Sequence, residues 1–201
     1  MRRTLLLLAT MVTGVLLVSG VAYALSVQCD GTGDQDPHPG ECRGTSNADR
    51  ILGTDVGAEV IIALAGNDAV DPGLGNDEVY GHKGNDVVDG YHGHDTIYGG
   101  SGHDGSAEGT TFKTATNLEG AEGSDKVYGG EGEDWIDAAA HDDTAGSVDR
   151  SYGEEGNDHI YTIDGNEDII NCGPGTDDLV RRDARIDTIQ KDGGCEKSLT
   201  Q

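Results

Sequence analysis

The sequence predicts an all-β fold: a right-handed parallel β-roll, or β-solenoid, built from nonapeptide repeats and broken by two loop insertions. Three observations carry this. A unit Gly-x-Asp-x-aliphatic recurs every nine residues, a period that neither a helix nor a single strand requires. Glycine is abundant at 33 residues, and 38 acids face 13 Lys and Arg, for a net charge of −25. One Phe and one Trp cannot fill a large aromatic core.

The repeat is clearest where "GNDAV", "GNDEV", "GNDVV" and "GHDTI" place Asp68, Asp77, Asp86 and Asp95 nine apart, followed by Val70, Val79, Val88 and Ile97. Asp104 extends the series. Farther on, "GSDKV", "GEDWI", "GNDHI" and "GTDDL" give Asp125, Asp134, Asp158 and Asp177, with Val127, Ile136, Ile160 and Leu179 as the aliphatic partners. Weaker rungs are Asp49 with Ile51, Glu59 with Ile61, Thr116 with Leu118, Asp168 with Ile170 and Asp187 with Ile189. Two breaks, about 105–115 and 138–151, read as surface loops, which are expected to interrupt the regular array.

Nine residues make half a coil. A glycine-rich run of about six takes turn conformations closed to other residues, and the remaining three suffice for a very short strand. Two turns and two strands close one coil, and stacked coils pair their strands in parallel about 4.8 Å apart with the aliphatic pointing inward. Residues 18 apart therefore share an edge: Asp68, Asp86 and Asp104 on one, Asp77 and Asp95 on the other. Like charges stacked so closely repel, and a hard cation is the natural filler. Calcium, with six to eight oxygen ligands, suits carboxylates and glycine-freed carbonyls better than magnesium does. The competing possibility is a glycine-rich solenoid whose acids are merely solvated.

The motif resembles the RTX, or haemolysin-type, calcium-binding repeat, Gly-Gly-x-Gly-x-Asp-x-(large apolar)-x. "GGSGHD" at 99–104 and "GGEGEDWI" at 129–136 match its acidic turn in full, while other units have lost the leading glycine pair. The resemblance implies several calcium ions. It implies that the later glycine of each matching unit (Gly66, Gly75, Gly84, Gly93, Gly102, Gly123, Gly132) and its aspartate (Asp68, Asp77, Asp86, Asp95, Asp104, Asp125, Asp134, with Asp158 and Asp177 beyond) frame the sites. The aspartate carboxylate serves as ligand, and turn carbonyls complete the shell. The longer steps near Asp168 and Asp187 put sites there in doubt.

The ends suggest where the protein works. Arg2 and Arg3, an apolar run from Leu5 to Val18 and Ala22-Tyr23-Ala24 read as a secretory signal over 1–24, cleaved after Ala24; an uncleaved anchor is the alternative. No later stretch spans a membrane. Four cysteines, Cys29, Cys42, Cys172 and Cys195, fit disulfides outside the cell. Three pairings exist, and local closure favours Cys29–Cys42 and Cys172–Cys195. The expected organisation is thus signal 1–24, a disulfide-bearing segment 25–48, repeats 49–190 and a tail 191–201.

Acidity excludes nucleic acid and anionic membrane as partners. Catalytic signatures such as GxSxG, HExxH and GKS/GKT are missing, and 25–48 is too short for a catalytic domain. His82, His92, His94 and His103 read as exposed turn residues rather than a zinc or copper site. The expectation is a secreted, non-catalytic calcium-binding protein that folds or stiffens on binding the ion. Its rivals are a cell-surface or matrix scaffold for an extracellular protein or glycan, and, more remotely, a small hydrolase.

Overall fold

The computed structural model describes residues 25–29, 41–54, 57–105, 117–138, 145–184, 186–190 and 194–200. Among them are seventeen strands in two parallel sheets, successive strands alternating between the two. The first sheet runs β1 (Leu25–Gln28), β3 (Asp49–Thr54), β5 (Ala69–Gly73), β7 (Val87–Asp89), β9 (Leu118–Glu119), β11 (Trp135–Asp137), β13 (His159–Thr162), β15 (Leu179–Arg182), β17 (Lys197–Thr200). The second runs β2 (Glu41–Arg43), β4 (Val60–Ile62), β6 (Glu78–Lys83), β8 (Thr96–Ser101), β10 (Lys126–Gly132), β12 (Arg150–Gly156), β14 (Ile169–Asn171), β16 (Thr188–Ile189). This is a parallel β-roll. No helix of the described residues is long and apolar enough to cross a membrane.

Along most of the roll an aliphatic residue of each strand points inward. Ile51, Val70, Val88, Leu118, Ile136, Ile160 and Val180 form one buried row, and Ile61, Val79, Ile97, Val127 and Ile170 the facing one. Parallel pairing keeps them in register: Val70 opposes Val88, Val88 opposes Leu118, and Leu118 opposes Ile136. Each such side chain contributes about 1.5–3 kcal/mol by leaving water. The core is two side chains deep, which explains why so few aromatic residues suffice. Tyrosines stack instead on the outer face of the second sheet: Tyr80, Tyr98, Tyr128 and Tyr152 have ring centroids 4.8, 4.9 and 4.6 Å apart.

The disulfides pair locally, Cys29–Cys42 and Cys172–Cys195. The first joins the terminal coil, in which β1 pairs with β3 and β2 with β4, and the second holds the opposite end, where β17 pairs with β15. The roll therefore extends past the 49–190 span at both ends. The expected signal 1–24, the Thr116 rung, and residues 106–115 and 139–144 of the two loops lie outside the described residues.

Two expectations are corrected. The second loop does not reach residue 151. Arg150 already pairs with Lys126, and Ser151 occupies the inward position opposite Val127 and Ile170, fully buried. A polar residue at the aliphatic position hid this rung. At "GTDDL" the inward residue is Val180 rather than Leu179, since β15 pairs Ile160 with Val180.

Candidate metal centre

The turns between strands end in Gly-x-Asp, and the glycine is there because of how coils stack. Gly66, Gly84, Gly93, Gly102, Gly123 and Gly132 have φ between +128° and +153°, a region L side chains rarely adopt. A Cβ on Gly84 would also overlap the Gly66 carbonyl oxygen, and one on Gly102 that of Gly84. The glycine that opens the turn is constrained by oxygen as well. A Cβ on Gly81 would sit 2.5 Å from both Asp86 Oδ2 and the Gly99 carbonyl oxygen. One on Gly99 would lie 2.6 Å from Asp104 Oδ2 and 2.5 Å from the Gly129 oxygen. Carboxylate and carbonyl oxygens of adjacent coils thus converge where only glycine leaves room.

The aspartates that close these turns are buried rather than solvated: Asp68, Asp77, Asp86, Asp95, Asp104, Asp125, Asp134 and Asp158 are at most 2% exposed. Each uses Oδ1 as a brace between coils. The Asp49 amide donates to Asp68 Oδ1 at 2.7 Å, Asp68 to Asp86 at 2.8 Å, Asp86 to Asp104 at 2.8 Å, and Asp104 to Asp134 at 2.7 Å. Asp134 continues to Asp158 at 3.0 Å, and Asp158 to Asp178 at 2.8 Å. The other edge repeats this from Glu59 through Asp77, Asp95, Asp125, Asp149 and Asp168 to Asp187.

These columns correct the expectation that the loops interrupt the array. The steps Asp95 to Asp125 and Asp104 to Asp134 span 30 residues instead of 18, yet keep the same bond. The chain leaves its coil at Gly105, whose amide donates to the Asp86 carbonyl at 2.7 Å, and rejoins it at Leu118 opposite Val88. The second insertion lengthens the steps Asp125 to Asp149 and Asp134 to Asp158 to 24 residues without breaking them.

Asp177 is a further correction. It is exposed and ion-paired with Lys197, and Asp178 takes the buried position in the column. "GTDDL" offers two registers, and the fit of Val180 into the core selects the later one. Asp149 was missed because Ser151 follows it in place of an aliphatic. Its signal was the tyrosine three residues after the acid: Tyr152 follows Asp149 as Tyr80, Tyr98 and Tyr128 follow Asp77, Asp95 and Asp125.

The residue between glycine and aspartate forms its own ladder. Asn67 Oδ1 accepts the Asn85 amide at 3.1 Å, Asn85 Oδ1 that of His103 at 3.1 Å, and His103 Nδ1 that of Glu133 at 3.1 Å. His94 Nδ1 accepts the Ser124 amide at 2.8 Å. These histidines are structural acceptors, while His92 pairs with Glu122 at 2.8 Å. Among the described residues, the group of three potential ligands lying within 4.8 Å of one another is Asp149, Asp164 and Asp168, with no histidine in it.

The second carboxylate oxygen has no such brace. Oδ2 of Asp68, Asp77, Asp86, Asp95, Asp104, Asp134, Asp158 and Asp178 is buried and without a hydrogen-bond partner. Burying an unpaired ionised oxygen is costly. Burial is the largest cause that pushes these acids up, to about 6 for Asp68, about 7 for Asp86, Asp95, Asp134 and Asp158, and about 8 for Asp104. Amide hydrogen bonds from the previous coil oppose the rise, and neighbouring acids add to it. Ordered, anionic, dry oxygen atoms beside glycine carbonyls are the donor set of a hard cation.

The fold and these columns define a cation-binding parallel β-roll. Four stretches, residues 43–79, 71–105, 115–145 and 146–179, match the RTX calcium-binding nonapeptide repeat. The chain belongs to that family and is a calcium-binding repeat protein. No curated protein and no solved structure matches it.

Proposed function

We propose that this is a secreted, non-catalytic protein whose folding is coupled to calcium. The observation that carries the proposal is the pair of columns of buried carboxylates with an unsatisfied Oδ2. Metal-free at neutral pH, such columns oppose the fold; with calcium they hold it together.

Asp68, Asp77, Asp86, Asp95, Asp104, Asp134, Asp158 and Asp178 present these oxygens as ligands, Asp125, Asp149 and Asp168 continue the columns, and turn glycines offer their carbonyls. Bound calcium supplies the positive charge that neutralises stacked carboxylates and accepts several oxygens from adjacent coils. Secretion is supported by the expected signal over 1–24 and by two disulfides. Outside the cell, calcium is plentiful enough for sites of about 10⁻⁴ to 10⁻³ M.

Far-ultraviolet circular dichroism during a calcium titration, with both disulfides formed, tests the coupling. The expected result is a disordered spectrum in chelator and a cooperative gain of β signal as calcium reaches about millimolar levels. A spectrum unchanged across that range sinks the proposal.

A further inference from the structure

The two carboxylate columns end differently from the way they run. In seven interior turns the residue four before the aspartate has positive φ. Ahead of Asp68, Asp86, Asp95 and Asp158 it is Leu64, His82, Tyr91 and Glu154, at φ 71° to 84°, and ahead of Asp77, Asp104 and Asp134 it is a glycine. On one edge this residue continues a strand and pairs from coil to coil, His82 with Gly100, Gly100 with Gly130, and Gly130 with Glu154. Its amide is thereby withdrawn from its own aspartate, whose buried Oδ2 receives no hydrogen bond in any of the seven turns.

At the ends the amide stays with the carboxylate. Thr45, four before Asp49, donates its amide to Asp49 Oδ2 at 2.5 Å and its hydroxyl to the same oxygen at 2.8 Å. Asp183, four before Asp187, donates its amide to Asp187 Oδ2 at 2.7 Å, and the Thr162 hydroxyl joins it at 3.0 Å. Neither Thr45 nor Asp183 has positive φ. Glu59, which begins the second column, is held by the Thr54 amide on Oε2 at 2.8 Å and the Thr54 hydroxyl on Oε1 at 2.6 Å.

The oxygens themselves converge at these ends as they do inside. A Cβ on Gly44 would overlap the Ala63 carbonyl oxygen and lie 3.1 Å from Asp49 Oδ2, and one on Gly53 would overlap the Pro72 oxygen and lie 2.6 Å from Glu59 Oε2. What differs is the donor. A carboxylate that already accepts an amide and a hydroxyl has its charge compensated by the protein. A dry interior Oδ2 is left to be satisfied by an ion. Holding Leu64, His82, Tyr91 and Glu154 at positive φ is strained for L side chains, and that strain has a reason where a cation takes the amide's place.

We propose that Asp49, Glu59 and Asp187 bind no calcium and close the columns as metal-free caps, a backbone amide and a threonine hydroxyl standing where the interior turns hold an ion. The inference rests on the calcium reading of the columns and sets their extent. Ions occupy interior turns, and protein donors finish the ends, as terminal repeats of a solenoid must.

Diffraction from crystals of the full chain grown in saturating calcium, recorded at a wavelength where calcium scatters anomalously, locates each ion without recourse to variants. The expected result is peaks beside interior acids such as Asp86 and Asp104, and none beside Asp49, Glu59 or Asp187. In solution, Asp49→Asn and Asp187→Asn should leave the number of ions bound in equilibrium dialysis unchanged, while Asp86→Asn should lower it, with circular dichroism monitoring the fold. A peak at any of the three end acids, or a folded Asp49→Asn or Asp187→Asn chain that has lost an ion, overturns the caps and leaves the calcium reading standing. A folded chain with no calcium peak, or an Asp86→Asn chain with the full count, removes the calcium reading and the caps with it.

Discussion

The amide of Asp104 donates to Asp134 Oδ1 at 2.7 Å across thirty residues of sequence, the same bond that Asp86 makes to Asp104 across eighteen. The column therefore takes no notice of the insertion between them. Deleting residues 106–117, which joins Gly105 to Leu118, should leave calcium stoichiometry and the β spectrum unchanged. Equilibrium dialysis with circular dichroism checks this, and loss of bound calcium would show that the insertion helps to build the sites.

Glycine at the later turn position is a steric requirement. Gly84→Ala places a Cβ on a backbone with φ +128° and onto the Gly66 carbonyl oxygen. It should cost about 2–3 kcal/mol or more. Gly57→Ala, with φ +100° but open space around it, should cost only about 1–2 kcal/mol. Thermal melts in saturating calcium compare the two, and equal losses would mean that stacking imposes nothing beyond the backbone conformation.

The register at the C-terminal end separates two adjacent acids. Asp178→Asn should lower the number of calcium ions bound, because its Oδ2 is buried and unpartnered within the column. Asp177→Asn should remove only the ion pair with Lys197, an exposed contact worth about 0–1 kcal/mol. Calorimetric stoichiometry for the two variants decides between them.

Acid should partly replace calcium. Burial raises Asp86, Asp95, Asp134 and Asp158 to about 7 and Asp104 to about 8, against an ordinary value of 3.8. The metal-free fold therefore holds more protons than the unfolded chain between pH 3.8 and these values. Its stability is fully present below the unfolded value and falls as pH rises through the folded ones. In chelator, the β spectrum should be stronger near pH 5 than near pH 8. Calcium added at neutral pH should release protons, measurable in a weakly buffered solution. A metal-free chain that gains order as pH rises would contradict the burial of these acids.

Much of this molecule was legible in its sequence, because a solenoid is nearly one-dimensional. The nine-residue period alone carries the alternation of strands, the inward aliphatic, the two edges and the stacking of Asp77 over Asp95, since each coil contacts only its neighbours. Local disulfide closure followed from the same short-range geometry. What the period could not carry is what happens where it fails. Only stacking shows that Ser151 fills a core rung, that Asp178 rather than Asp177 enters the column, and that two insertions leave both columns whole. In each case the choice is made by fit against the coil on either side, an energy that exists only once the strands are paired. Burial of the carboxylates is likewise a tertiary fact. The repeat stacks like charges and so already calls for a cation, but that these acids are dry and leave Oδ2 atoms unsatisfied is decided only when packed coils close over them.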